Sequence, residues 1–142
     1  MINSIERGQK IVDRMMENDA FSQWLGIDVV EIKPGYSHLE MTARPEMLNG
    51  FDILHGGISY SLADSALAFA SNSHGAQAVS VETSISHLKP CRNGDRLIAK
   101  AEEKSISRKI AIYQIEIKNQ KEEVIALFKG TVYRSSKEWE IS

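Results

Sequence analysis

The chain has one cysteine, Cys91, so an intrachain disulfide cannot form, and this usage suits a reducing compartment. It has no CxxC pair, no HExxH, no phosphate-binding GxxxxGK[ST] loop and no GxSxG. The commonest zinc, nucleotide and serine-hydrolase chemistries are thereby set aside. It lacks a charge excess of either sign: 17 Lys plus Arg stand against 19 Asp plus Glu, a net charge of −2. Phosphate backbones need a basic surplus, so nucleic acid is not an expected partner. No apolar run approaches the roughly 18 residues of a membrane span. The first ten residues carry Glu6, Arg7 and Lys10 in place of a signal-like apolar core. The expectation is a cytoplasmic protein without a membrane role.

What remains is 142 residues, 42% apolar, which fits one domain over residues 1–142 with a core of its own. Residues 4–25 read as helix, with Ser4 as cap, Ile11, Val12, Met15 and Met16 at helical spacing, and Gly26 as the stop. Strands are expected over 27–33 and 36–43, around the Pro34-Gly35 turn, followed by a loop over 44–57. Residues 58–73 read as a central helix with Ile58, Leu62, Ala66 and Phe69 on one face. Its many Ala and Ser residues allow close approach on other sides, so this helix is expected to be enclosed. Beyond Gly75 the period becomes two. Val79, Val81, Thr83, Ile85 and His87 alternate with polar residues, and further strands begin near Leu97 and cover 109–118 and 123–134. The apolar phase shifts between Ile112 and Tyr113, which predicts a bulge or a strand covered on both faces. The class is α+β, helix on antiparallel sheet.

Charge placement singles out one residue. From Ile53 to Val81 the only formally charged side chain is Asp64, in mid-helix. A buried, unpaired carboxylate costs several kcal/mol, so such a group needs a role. It is read either as a solvated or intersubunit group or as a general base or nucleophile. Upstream, Asn49 and His55-Gly56-Gly57 precede the helix. Glycines at a helix start expose backbone N–H groups at the positive end of the dipole, which suits an oxyanion, although a flexible turn gives the same pattern. Asp64 follows Gly56 by eight residues, about 12 Å of axis at roughly 1.5 Å per residue. One chain cannot easily bring both to one reacting carbonyl, whereas two chains about a twofold axis can. If the two act together, the active unit is a homodimer.

The stretch Asn49-Gly50-Phe51-Asp52-Ile53-Leu54-His55-Gly56-Gly57, with Leu62-Ala63-Asp64 and Asn72-Ser73-His74-Gly75, resembles the hotdog-fold acyl-CoA thioesterases of the phenylacetic-acid-degradation (PaaI) type. Leu88-Lys89-Pro90, Gly94-Asp95-Arg96-Leu97, residues 113–117 and residues 126–130 fit as well, so the likeness runs over about residues 20–134. It implies a hotdog fold, a long helix wrapped by a curved antiparallel sheet, in a dimer that pairs into a dimer of dimers. It implies hydrolysis of an acyl-CoA, phenylacetyl-type or medium-chain, to free acid and coenzyme A, with no metal and no cofactor beyond the coenzyme A of the substrate. Asp64 would match the catalytic carboxylate and Gly56 the oxyanion donor. Asn49 would stand beside Gly56, His55 would support the loop, and Ser80 would position water. Coenzyme A phosphates need cationic or backbone partners; Lys89, Arg108, Lys109 and Lys129 are the candidates, each otherwise an ordinary surface charge. Glu82, Thr83 and His87 depart from the phenylacetyl-type pattern, and Phe51, Tyr60 and Leu67 are candidate acyl-tunnel residues or plain core. The competing readings are a hotdog hydratase or dehydratase, which pairs a histidine with a carboxylate, and a non-catalytic acyl-CoA binder.

Overall fold

The computed structural model describes residues 2–141. Helix α1 covers Ser4–Glu17 and buries Gly8, Ile11 and Val12. Its cap is Asn3, whose side chain accepts from the Glu6 N–H at 2.8 Å; Ser4, expected in that role, is the first helical residue. The expected single helix over 4–25 is two. At Asn18-Asp19 the chain turns, and the Asp19 carboxylate caps α2 (Ala20–Leu25) by accepting from the Ser22 N–H. An Asp that can cap starts a new helix more readily than it continues an old one. Gly26, with φ of 74°, ends α2 as expected.

The strands are β1 (Asp28–Lys33), β2 (Tyr36–Thr42), β3 (Ala76–His87), β4 (Arg96–Ile106), β5 (Ile110–Lys118) and β6 (Val124–Glu138). They form one antiparallel sheet in the order β1-β2-β4-β5-β6-β3. Inward-facing Leu39, Met41, Leu97, Ala99, Tyr113, Ile115, Phe128 and Val132 pack around α3 (Gly56–Asn72), which buries Ile58, Leu62, Ala66 and Phe69. This is the wrapped-helix architecture that the resemblance implies. The sheet approaches the helix closely at Gly130, where an added Cβ would lie 2.5 Å from Leu67 Cδ2.

Two details differ from the sequence reading. The apolar shift near Ile112 does not bulge β5. Ala111, Tyr113, Ile115 and Ile117 point inward without interruption, and the bulge lies opposite, in β4 between Glu103 and Ser105. In β3 the register shifts between Ser80 and Glu82, so Ala78 is buried whereas Val79 and Val81 remain 64% and 60% exposed. The even alternation from Val79 to His87 overlooked this slip, because a bulge exchanges the faces of the residues before and after it. β3 is thus a long edge strand with apolar side chains in the open, the kind of edge that proteins usually cover.

Candidate active site

The loop before α3 is built from its own backbone. Asn49 Oδ1 accepts from Phe51 N–H at 2.8 Å and from Ile53 N–H at 3.4 Å, and Asp52 takes a left-handed φ of 59° to close the turn. This uses the Asn49 carbonyl, and its amide hydrogens have no acceptor among the described residues. The loop ends at His55, whose Nδ1 accepts from the Gly57 N–H at 2.9 Å and caps α3. An accepting Nδ1 fixes the neutral ring as its Nε2–H tautomer. The expected helix start at residue 58 lies two residues too late, because this cap admits both glycines to the first turn.

The cap leaves one donor over. Gly57 N–H goes to His55, Ile58 N–H to the His55 carbonyl, and Gly56 N–H has no acceptor among the described residues. Gly56 lines a cavity of about 410 Å³ with Asn49, Ser59, His87, Lys89, Pro90 and Cys91. His87 lies against it, so that a Cβ on Gly56 would stand 3.0 Å from His87 Nε2. A free N–H at a helix N-terminus and a side-chain amide on the same cavity are the kind of donors that can stabilise an oxyanion. The Cys91 thiol of this cavity is no nucleophile. Burial, then the Asp95 and Glu123 carboxylates, push it up to about 11, which leaves it protonated at neutral pH.

Asp64 lies elsewhere. Half-buried, it lines a second cavity of about 320 Å³ with Met15, Leu67, Ala68, Ser71, Asn72, Ala78, Val79, Ser80 and Val132. No hydrogen bond or ion pair reaches its carboxylate among the described residues. Its pKa is raised, first by burial and then by the Asp19 carboxylate. Asp19 is tied to the central helix by a short chain. Its Oδ2 accepts from Ser22 Oγ at 2.6 Å, and Ser22 Oγ lies 2.8 Å from Oγ of Ser65, the neighbour of Asp64 on α3.

The sequence candidates therefore fall into two groups: Asn49, Gly56 and Lys89 on one cavity, Asp64 and Ser80 on the other. His55 lines neither, so His55 and Asp64 do not meet in one cavity of the described chain. Lys89 Nζ is 3.0 Å from Glu123 Oε2. Arg108 and Lys109 form the exposed β4–β5 turn, at the end of the sheet where Ala111 pairs with Val132 and Val132 with Ser80. Lys129 stands on the outer sheet face opposite Gln114 and Ser84 and lines neither cavity. Of the tunnel candidates, Leu67 lines the Asp64 cavity. Phe51 is 84% exposed, and Tyr60 packs edge-on against Phe128 and hydrogen-bonds Thr83. Met15 and Asn72 were missed as lining residues, whereas His87, singled out in the sequence, does line a cavity. Helical periodicity marks Met15 only as apolar, and packing across the fold places Asn72.

A match to the thioesterase superfamily spans residues 51–126. The acyl-coenzyme A thioesterase PaaI of Escherichia coli is 42% identical over 84% of this chain and 86% of its own length. The crystal structure of E. coli PaaI, from the phenylacetic acid degradation operon, superposes with a TM-score of 0.93 at 37% identity and covers 96% of this chain and 99% of that one. A Streptococcus mutans protein solved bound to acetyl-CoA is 25% identical, with a TM-score of 0.77 over 80% of this chain and 91% of its own. With its wrapped helix, its glycine-started N-terminus and its mid-helix acid, this chain belongs to the hotdog-fold thioesterase superfamily.

Proposed function

We propose that the chain hydrolyses an acyl-CoA thioester to free acid and coenzyme A in a site shared by two copies. The observation that carries this reading is the pair of incomplete half-sites. An unpartnered Gly56 N–H lies in one cavity and an unpartnered Asp64 carboxylate in another. The exposed β3 edge offers the surface on which a second copy pairs strand to strand, and two such dimers then assemble back to back.

In the shared site, Gly56 N–H and the Asn49 amide of one subunit polarise the thioester carbonyl. Asp64 of the other subunit either removes a proton from the attacking water, aligned by Ser80, or attacks the carbonyl carbon itself. The C–S bond breaks as the tetrahedral oxyanion collapses, and the coenzyme A thiolate leaves and takes up a proton. In the direct route water enters only afterwards, cleaving the mixed anhydride to free acid and Asp64. No metal or separate cofactor takes part. His55 holds the loop through its cap. Lys89 on the Gly56 side and Arg108 and Lys109 on the Asp64 side meet the coenzyme A phosphates. The acyl group is apolar, of aryl-acetyl or medium-chain type, and the lone buried Cys91 suits the cytoplasm.

Thiol release from a panel of acyl-CoAs tests the reading. Free thiol with phenylacetyl- or medium-chain acyl-CoA is expected. Loss of enoyl absorbance without thiol would overturn it in favour of a hydratase. Turnover that survives Asp64→Ala would overturn the assigned chemistry.

A further inference from the structure

Resting on the thioesterase reading, the Asp64 cavity carries an inference about substrate length. Its wall is drawn from three parts of the fold: Leu67, Ala68, Ser71 and Asn72 from α3, Ala78 to Ser80 and Val132 from the sheet, and Met15 from α1. The polar lining is mostly committed. Ser71 Oγ donates to the Ala68 carbonyl. The Asn72 amide donates to the Ala68 and Ala78 carbonyls and accepts from Ala78 N–H and Trp139 Nε1. Only Asp64 and Ser80 keep unpartnered polar side-chain groups among the described lining residues. Apart from Asp64 and Ser80, which the proposed chemistry uses, a buried polar tail on the acyl group would find no partner here, so the cavity suits a hydrocarbon.

We propose that Met15 closes this cavity from the N-terminal helix and sets the length of acyl group that the site accepts. Met15 is half-buried against the core, the one lining residue from outside the sheet and its wrapped helix. Its helix is held in place from both ends. At one end the Asp19–Ser22–Ser65 chain fastens the α1–α2 corner to the central helix beside Asp64. Near the other, Gly8 seats α1 against Ser73, where an added Cβ would stand 3.1 Å from the Ser73 carbonyl oxygen. An unbranched thioether in such a position is a movable stop: it fills space without a polar demand, and its size bounds the pocket.

The test is kcat/KM over butyryl-, octanoyl-, dodecanoyl- and phenylacetyl-CoA for the unaltered protein, Met15→Ala and Met15→Phe, with thermal unfolding of each. Met15→Ala should raise the dodecanoyl-to-butyryl ratio by at least about tenfold, on the scale of a few methylenes of pocket depth, and Met15→Phe should lower it. If Met15→Ala does not fold, Met15→Val must show the same direction. Folded variants that lose activity evenly across the series, with the ratio unchanged, overturn the proposal and leave the thioesterase reading standing. An unaltered protein that cleaves none of the thioesters overturns both.

Discussion

Gly56 and Asp64 share one helix yet line different cavities, and neither the N–H of the first nor the carboxylate of the second finds a partner within the described chain. A helix keeps residues two turns apart on its axis, so their separation is a property of the element and not of a side-chain rotamer. Under the proposed function these are two half-sites, which a second copy paired along the exposed β3 edge would complete.

Asp64→Asn should reduce turnover by about 10²–10⁴-fold, the usual worth of a positioned base. It should also raise the melting temperature at pH 7. The fold raises the Asp64 pKa above its ordinary 3.8, so it disfavours the ionised form. That cost is present in full above the folded value and disappears as the pH falls below the unfolded one. The gain in melting temperature over the unaltered protein should therefore shrink on acidification towards pH 4. Calorimetry across pH checks it.

Asp19→Asn should move the acid limb of the pH–kcat profile to lower pH. Asn keeps the helix cap but removes the negative charge that adds to the burial effect on Asp64. The limb should remain above an ordinary aspartate, because burial is the larger cause. An unmoved limb with intact folding would remove Asp19 from the account.

Gly56→Ala keeps the backbone N–H but should still cost about 10²–10³ in kcat, on the scale of an oxyanion donor that no longer reaches its target. The methyl group would sit 3.0 Å from His87 Nε2 and displace the imidazole into the cavity where the carbonyl must bind. His55→Ala, by contrast, should act mainly on stability, by about 1 kcal/mol for a lost cap, and His55→Asn should restore most of it. Denaturant unfolding beside single-turnover rates separates the two effects.

Gly130→Ala should destabilise by about 1–3 kcal/mol, as overpacking does. The new Cβ would lie 2.5 Å from Leu67 Cδ2, and the Asp64 cavity that Leu67 lines is open for it to retreat into. Altered chain-length preference should accompany the lower melting temperature.

The central helix, the glycine-started tip and the lone acid were legible because each is a local pattern: small residues at helical spacing, two glycines after a histidine, one charge in a neutral stretch. Asp19 was not legible as a break, since apolar spacing continues through Phe21 and Trp24 and only the side-chain cap shows where the chain turns. The face exchange in β3 was hidden for a related reason. A bulge depends on the partner strand β6, and no residue type in Val79–Glu82 announces it. Likewise Met15 could be read as apolar, but only tertiary packing puts it against Asp64. The cations illustrate the limit: Lys89, Arg108, Lys109 and Lys129 were alike by type, and the fold separates them onto three surfaces.

Mixing two disabled chains tests the shared site most directly. Asp64→Asn and Gly56→Ala subunits, each at least about a hundredfold impaired alone, are unfolded together, refolded, and assayed for thiol release, with native mass spectrometry to confirm mixed assemblies. Random pairing gives mixed dimers that hold one intact Gly56–Asp64 site and one doubly altered site, so activity should return to about a quarter of the unaltered level. Mixed dimers that form in the expected proportion and release no thiol would contradict a site built from two copies.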